Sequence, residues 1–212
     1  MKRAYQLAID VDEADLAAFR AGPRHVVVAK SLGIMRPNMA WLAWPPLARN
    51  VVSWDDSYGV YAAEIPAAHG AVARIVALVG SAHDRLLYSF GGDSFAAPAE
   101  APGILAGHYD VRNDATFAAS FGLVQRALVN GTPVLSPLHG VVLPPGFTAD
   151  FTRGANVYVW AESGLASGAV ITKIPPDAAV VTFGAQRSAA RYLYDPVTKS
   201  FRASPGTADE SR

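Results

Sequence analysis

The chain contains no cysteine. That absence removes disulfides, thiolate metal sites, iron–sulfur clusters and thiol nucleophiles together. Net charge is also missing: 18 Lys and Arg balance 18 Asp and Glu, and no three basic residues are consecutive. Nucleic-acid binders carry a basic excess or a basic stripe, so no nucleic-acid partner is expected. No uninterrupted apolar run reaches the ~18 residues of a membrane-spanning helix. The start, Met1-Lys2-Arg3, leads into a stretch broken by Gln6 and Asp10, which does not read as a signal peptide. The expected location is cytoplasmic, with secretion lacking a cleaved signal as the other route.

Motifs for phosphates and metals are absent as well. Neither G-x-x-x-x-G-K-[ST] nor G-x-G-x-x-G occurs, and there is no H-E-x-x-H and no EF-hand loop. The five histidines, His25, His69, His83, His108 and His139, show no tight ligand spacing. No cofactor and no metal are expected. Gly92-Asp93-Ser94-Phe95 resembles the nucleophile block of the GDSL-type esterases over four residues. The Asp-x-x-His that this family carries late in the chain has no match here, so Ser94 reads as a turn residue. The G-x-S-x-G elbow is missing too.

What the sequence does have is apolar residues, 51% against 17% charged, enough for a substantial core. The 212 residues fit one large domain or two small ones. Tyr5, Leu7, Ile9 and Val11 alternate with Gln6, Ala8 and Asp10, the period of a half-buried strand. Residues 12–22 read as a short helix, with Asp12 as its cap and Gly22-Pro23 as its stop. Strand-like runs follow at 25–31, 39–44, 50–54, 58–63, 71–79 and 85–90, with a turn at Asp55-Asp56-Ser57. The second part continues with 123–129, 140–143, 147–152, 156–161, 169–174, 179–183 and 190–194. Asn130-Gly131 reads as a hairpin turn.

Many short strands with turn signals between them predict an all-β fold of β-sandwich type with one short helix near the N-terminus. Four fragments recur in the same order roughly 100 residues apart, the signature to look for in a duplicated chain. Asp10-Val11 returns as Asp110-Val111, and Trp44-Pro45-Pro46 as Leu143-Pro144-Pro145. Glu64 with Gly70-Ala71-Val72 returns as Glu162 with Gly168-Ala169-Val170, and Leu87-Tyr88 with Ser94-Phe95 as Leu193-Tyr194 with Ser200-Phe201. Chance similarity in a chain rich in Ala, Val and Gly is the alternative. A duplication predicts two similar β-rich halves, 1–95 and 107–203, a linker at 96–106 and a flexible tail at 204–212. It also predicts related strand positions for Tyr61 and Tyr158.

The candidate ligand-binding residues are Trp41, Trp44, Trp54, Asp55, Asp56, Tyr58, Glu64 and Glu162. Rings beside carboxylates suit stacking on a sugar face or settling at a lipid interface. Trp41 and Trp44 differ in strand parity, which sends them to opposite faces. Glu64 and Glu162 hold matching places in the proposed repeat and are candidates for a carboxylate pair. The candidate catalytic residues are His108 and Asp110, which alternate on one strand face where a carboxylate orients an imidazole base. The leading expectation is a binding protein that recognises a glycan, lipid surface or protein partner through aromatic-rich loops, in the lectin-like or toxin-like manner. The alternative is a small-molecule enzyme (hydrolase, lyase or cyclase) with a cleft between the halves. Edge strands in a chain of low charge also suit a homo-oligomer.

Overall fold

The structure, a computed structural model, describes residues 3–65 and 68–204. All but one residue of the expected flexible tail lie outside the described residues. The elements are β1 (Ala4–Asp10), α1 (Glu13–Ala21), β2 (Arg24–Leu32), β3 (Leu42–Trp44), β4 (Arg49–Ala63), β5 (Ile75–Ala82), β6 (Leu86–Phe90) and β7 (Ala99–Glu100). After them come β8 (His108–Asn113), β9 (Ala119–Val129), β10 (Thr132–Pro137), β11 (Val141–Leu143), β12 (Thr148–Ser163), β13 (Ala179–Thr182), β14 (Ala189–Asp195) and β15 (Ser200–Ala203).

The expected all-β, sandwich-like architecture is present, as two mixed sheets and one short helix. The first sheet runs β10-β9-β4-β1-β14-β15, with β11 also on β9 and β5 also on β4. The second runs β3-β2-β12-β8-β6-β7, with β13 also on β12. Their inward faces share one core, in which Leu7, Ile9, Val52, Val60 and Leu123 meet Val26, Val28, Tyr109, Val111, Phe151 and Val159. Fully burying each such side chain contributes about 1.5–3 kcal/mol. Smaller clusters cover the outer faces, Tyr61, Ala63 and Val124 on one sheet and Val27, Ala29 and Trp160 on the other.

Both sheets mix strands from the two ends of the chain, so 1–95 and 107–203 do not form separate sheets. Within 96–106, expected as linker, β7 pairs with β6. The pairing pattern has a regularity of its own. Exchanging β1 with β8, β2 with β9, β3 with β11, β4 with β12, β5 with β13, β6 with β14 and β7 with β15 leaves it unchanged. The parallel pair β1–β14 becomes the parallel pair β8–β6. Among the described elements α1 and β10 alone have no counterpart. Even the irregularities match: β4 bulges between Trp54 and Tyr58 against β9, and β12 between Arg153 and Val157 against β2. Tyr61 and Tyr158 stand on the counterpart strands β4 and β12, with Trp160 in the register place of Tyr61.

Those bulges correct two expected breaks. The expected turn at Asp55-Asp56-Ser57 is the bulge within the continuous β4, where the Ser57 amide donates to Asp55 Oδ1 at 2.9 Å. Likewise 147–152 and 156–161 fuse into β12. The expected strand at 169–174 is instead a loop with isolated bridges at Ala169 and Val170. The Asn130-Gly131 turn is as expected: both residues take positive φ, 50° and 83°, and join β9 to β10. Helix α1 has acidic residues in its first turn and buries Leu16 and Phe19, and the Gly22 amide closes it on the Ala18 carbonyl. Asp12 sits at the cap position, but its side chain makes no capping bond.

Candidate functional site

The aromatic candidates lie in the core. Trp41, Trp44, Trp54 and Tyr58 are all buried, Trp41 completely. This corrects the expectation of a ring presented at an outer face. The parity argument for Trp41 and Trp44 fails because Trp41 precedes β3 in a bend and obeys no strand alternation. Trp41 and Trp54 meet edge-on at 5.4 Å, Tyr5 stacks on Trp54 at 5.6 Å, and Phe183 meets Trp54 at 4.9 Å. Pairs of this kind contribute about 0.5–1.5 kcal/mol each beyond their burial. Trp44 donates through Nε1 to Asn50 Oδ1 at 3.0 Å. Asp55 and Asp56 are half-buried, and Asp56 accepts a bond from Tyr5 OH at 3.0 Å.

The rings enclose a residue that the sequence does not single out. Lys30, on β2, is 3% exposed. Its Nζ lies 5.4–5.6 Å from the ring centres of Trp41, Trp54 and Tyr58. It donates to Gln125 Oε1 at 2.8 Å and to Tyr58 OH at 3.4 Å. Gln125 is held from behind: its Nε2 donates to the Asp55 carbonyl, and its own carbonyl accepts from Trp41 Nε1. Among the described residues no carboxylate forms an ion pair with Lys30. Burial pulls its pKa down to about 7, against a smaller upward pull from Asp56. The one signal available in the sequence is a lysine inside the Val-rich run 25–31. Nearby, the Trp54 indole N–H is buried without a partner.

The acid–base candidates separate. His108 Nδ1 sits 2.7 Å from Asp150 Oδ2, so its partner is across the sheet rather than Asp110 on its own strand. Asp110 pairs in register with Asp150, and partial burial together with the Asp150 charge raises its pKa, opposed by His108. Glu64 is exposed and paired with Arg74 at 2.9 Å. Glu162 accepts from Trp160 Nε1 at 2.6 Å and faces His69 at 3.4 Å. The two glutamates thus serve different partners. Ser94 donates to Asp93 Oδ1, and its carbonyl accepts from the Gly91 amide, as a turn residue does.

An apolar groove of about 320 Å3 opens where the ends of β4, β5, β6 and β9 meet. Its walls include Ala63, Ile65, Val76, Gly92 and Phe117, with Glu64 at the mouth. Phe117 is 51% exposed and Phe147 61%. Buried Asn113 holds both loops: its side-chain Nδ2 donates to the Phe117 carbonyl at 2.8 Å and its amide to the Phe147 carbonyl at 2.9 Å. A larger polar groove of about 590 Å3 runs past His83, Asp84, Arg85 and Glu100.

Among the described residues no group of three His, Asp or Glu side chains is placed to hold a metal ion. No described helix is long and apolar enough to cross a membrane. No family model matches the chain, and neither a curated protein nor a solved structure matches it.

Proposed function

We propose that the chain is a non-enzymatic β-sandwich binding protein whose contact surface is the apolar groove at Ile65, Val76 and Phe117, and that it takes an apolar segment of a protein partner. The observation that carries this reading is the half-exposed Phe117 in the groove wall, on a loop whose backbone Asn113 holds at the Phe117 carbonyl. An apolar cavity with one polar group at its rim is the usual form of a small binding site. With Trp41, Trp44 and Trp54 in the core, a glycan has no indole platform to stack on.

Panning peptide libraries against the chain, with counter-selection on the Phe117→Asp variant, tests the reading. Enrichment of apolar peptides that lose at least tenfold in binding to the variant supports it. Binding only to vesicles or to a glycan array overturns it.

One observation favours an enzyme as the second reading: His108, Asp150 and Asp110 share a sheet face, and the Asp110 pKa is raised. Loss of any identified turnover in Asp150→Asn is its test. We also infer that the halves arose by duplication of one unit, which the exchange symmetry of the strand pairing supports.

A further inference from the structure

Among the described residues three buried side-chain polar atoms have no hydrogen-bond partner in the protein, and two of them lie in one short stretch. They are Ser136 Oγ, near the end of β10, and His139 Nδ1 just beyond it. Ser136 is 2% exposed and His139 7%. Burying a polar group unpaired costs free energy that is recovered when the group returns to water. Two such costs therefore weigh against the closed arrangement of this stretch.

The stretch belongs to an arm with few attachments. β10 stands at the end of its sheet, paired with β9 alone, and it has no counterpart in the other half. Beyond it the Leu138 amide donates to the Leu123 carbonyl at 2.9 Å, and the His139 carbonyl accepts from Tyr61 OH at 2.7 Å. Gly140 exchanges two hydrogen bonds with the Asn38 side chain, which pins the far end. At the near end Asn130 exchanges two with the Val51 backbone.

We infer that residues 132–139 form an acid-opened flap: the His139 imidazole is its trigger, and lifting it uncovers the outer edge of β9 from Val124 to Val129. The closed arm offers the ring no anion. The elements packed here bring Tyr61 from β4, Ser120 and Gly122 from β9, and Asn38, Met39 and Gly168. Tyr61 alone of these titrates, and burial pushes its pKa up, so it stays neutral. Arg126 of β9 is exposed and stands opposite Leu135. Burial alone holds the His139 pKa down to about 4, and in the lifted arm it returns to its ordinary 6.5. Between those values the open arm takes up a proton that the closed arm refuses, so acid favours opening. That linkage gives about a thirtyfold rise in the open population from pH 7.5 to 5.

Native-state hydrogen exchange of the full chain at the two pH values, each rate divided by its intrinsic value, tests this. The Leu138 amide reports the flap, and the Asn113 amide, held by the Phe147 carbonyl, reports the rest of the sandwich. Leu138 should exchange faster than Asn113, ignore low urea, and rise about thirtyfold at pH 5. His139→Gln should remove most of that rise. Ser136→Ala, which deletes an unpaired hydroxyl, should slow Leu138 exchange severalfold at both pH values and leave their ratio as it was. Equal rates and equal urea dependence for Leu138 and Asn113 would show that no flap opens separately, and would overturn the proposal. A rise absent from the unsubstituted chain, or one that persists in full in His139→Gln, overturns it as well.

Discussion

Lys30 and Gln125 hold counterpart positions and hydrogen-bond to each other. Each pairs with the first residue past its partner strand's bulge, Lys30 with Val157 and Gln125 with Tyr58, and Lys30 Nζ reaches Gln125 Oε1 at 2.8 Å. The relation that exchanges the two halves therefore runs between these side chains. One half supplies an amine donor there and the other an amide oxygen that accepts its hydrogen bond.

This core amine makes stability rise with pH above neutrality. The unfolded chain keeps the Lys30 proton up to its ordinary value of 10.5, whereas the native chain releases it near 7. Between those values the unfolded state binds more protons, so unfolding becomes harder as pH rises. At about 1.4 kcal/mol per unit the gain is on the order of 2–3 kcal/mol from pH 7 to 9. Above that range the unfolded chain loses the phenol protons that buried Tyr58 and Tyr61 keep, and the slope is opposed. Urea unfolding followed by tryptophan fluorescence should show this rise, and Lys30→Met should flatten it. An equal rise in the variant would place its origin elsewhere.

His139 gives the acid side a slope of the same sign. Burial holds its pKa down to about 4, so the unfolded chain takes up a proton between pH 6.5 and 4 that the native chain refuses. Stability should fall as pH drops through that window, and His139→Gln should lose part of the fall. Denaturant titrations at pH 6.5, 5.5 and 4.5 measure the difference.

Asn50 joins three segments. Its Oδ1 accepts from Trp44 Nε1 and the Leu47 amide, while its Nδ2 donates to the Ile9 and Leu47 carbonyls. Asn50→Ala leaves several buried groups without partners, at about 1–3 kcal/mol for each that water does not reach. Thermal unfolding should show a loss of at least 3 kcal/mol, larger than the loss in Asn130→Ala, whose bond to the Val51 amide is exposed.

Two glycines in the first sheet should respond oppositely to alanine. A Cβ on Gly122 would run into the His139 carbonyl and the Tyr61 ring, whereas one on Gly80 meets nothing. Gly122→Ala should destabilise by about 2 kcal/mol or more, in the manner of overpacking. Gly80→Ala should be neutral or slightly stabilising, because it narrows the unfolded ensemble. Melting temperatures of the two variants, recorded side by side, decide this.

The fold class was legible because alternation and turn residues are local. Tyr5 to Val11, the short helix and the Asn130-Gly131 turn all sit where the pattern places them. The bulges in β4 and β12 were not, because Asp55-Asp56-Ser57 and Gly154 carry the composition of turns while the neighbouring strands hold the chain extended. Strands β7, β10 and β15 do not stand out in the sequence, β10 because Pro133 and Pro137 argue against a strand; it lies at an edge, where proline is tolerated. The aromatic cluster was visible, but what it surrounds was not. Lys30, Gln125 and Trp54 come from three strands, and only the topology brings them together. The groove at Phe117 was equally hidden, since its walls come from four separate stretches of chain.

The interleaving of strands also sets an order of events during synthesis. β2 can take its place beside β12 only once residues up to Ser163 exist, and β1 gains its parallel neighbour only when β14 is made. At about 5–20 residues per second the Val-rich N-terminal strand waits many seconds for its sheet. Neither sheet can be completed early: the second lacks β12 and β13, and the first lacks β14 and β15, until the last part of the described chain is made.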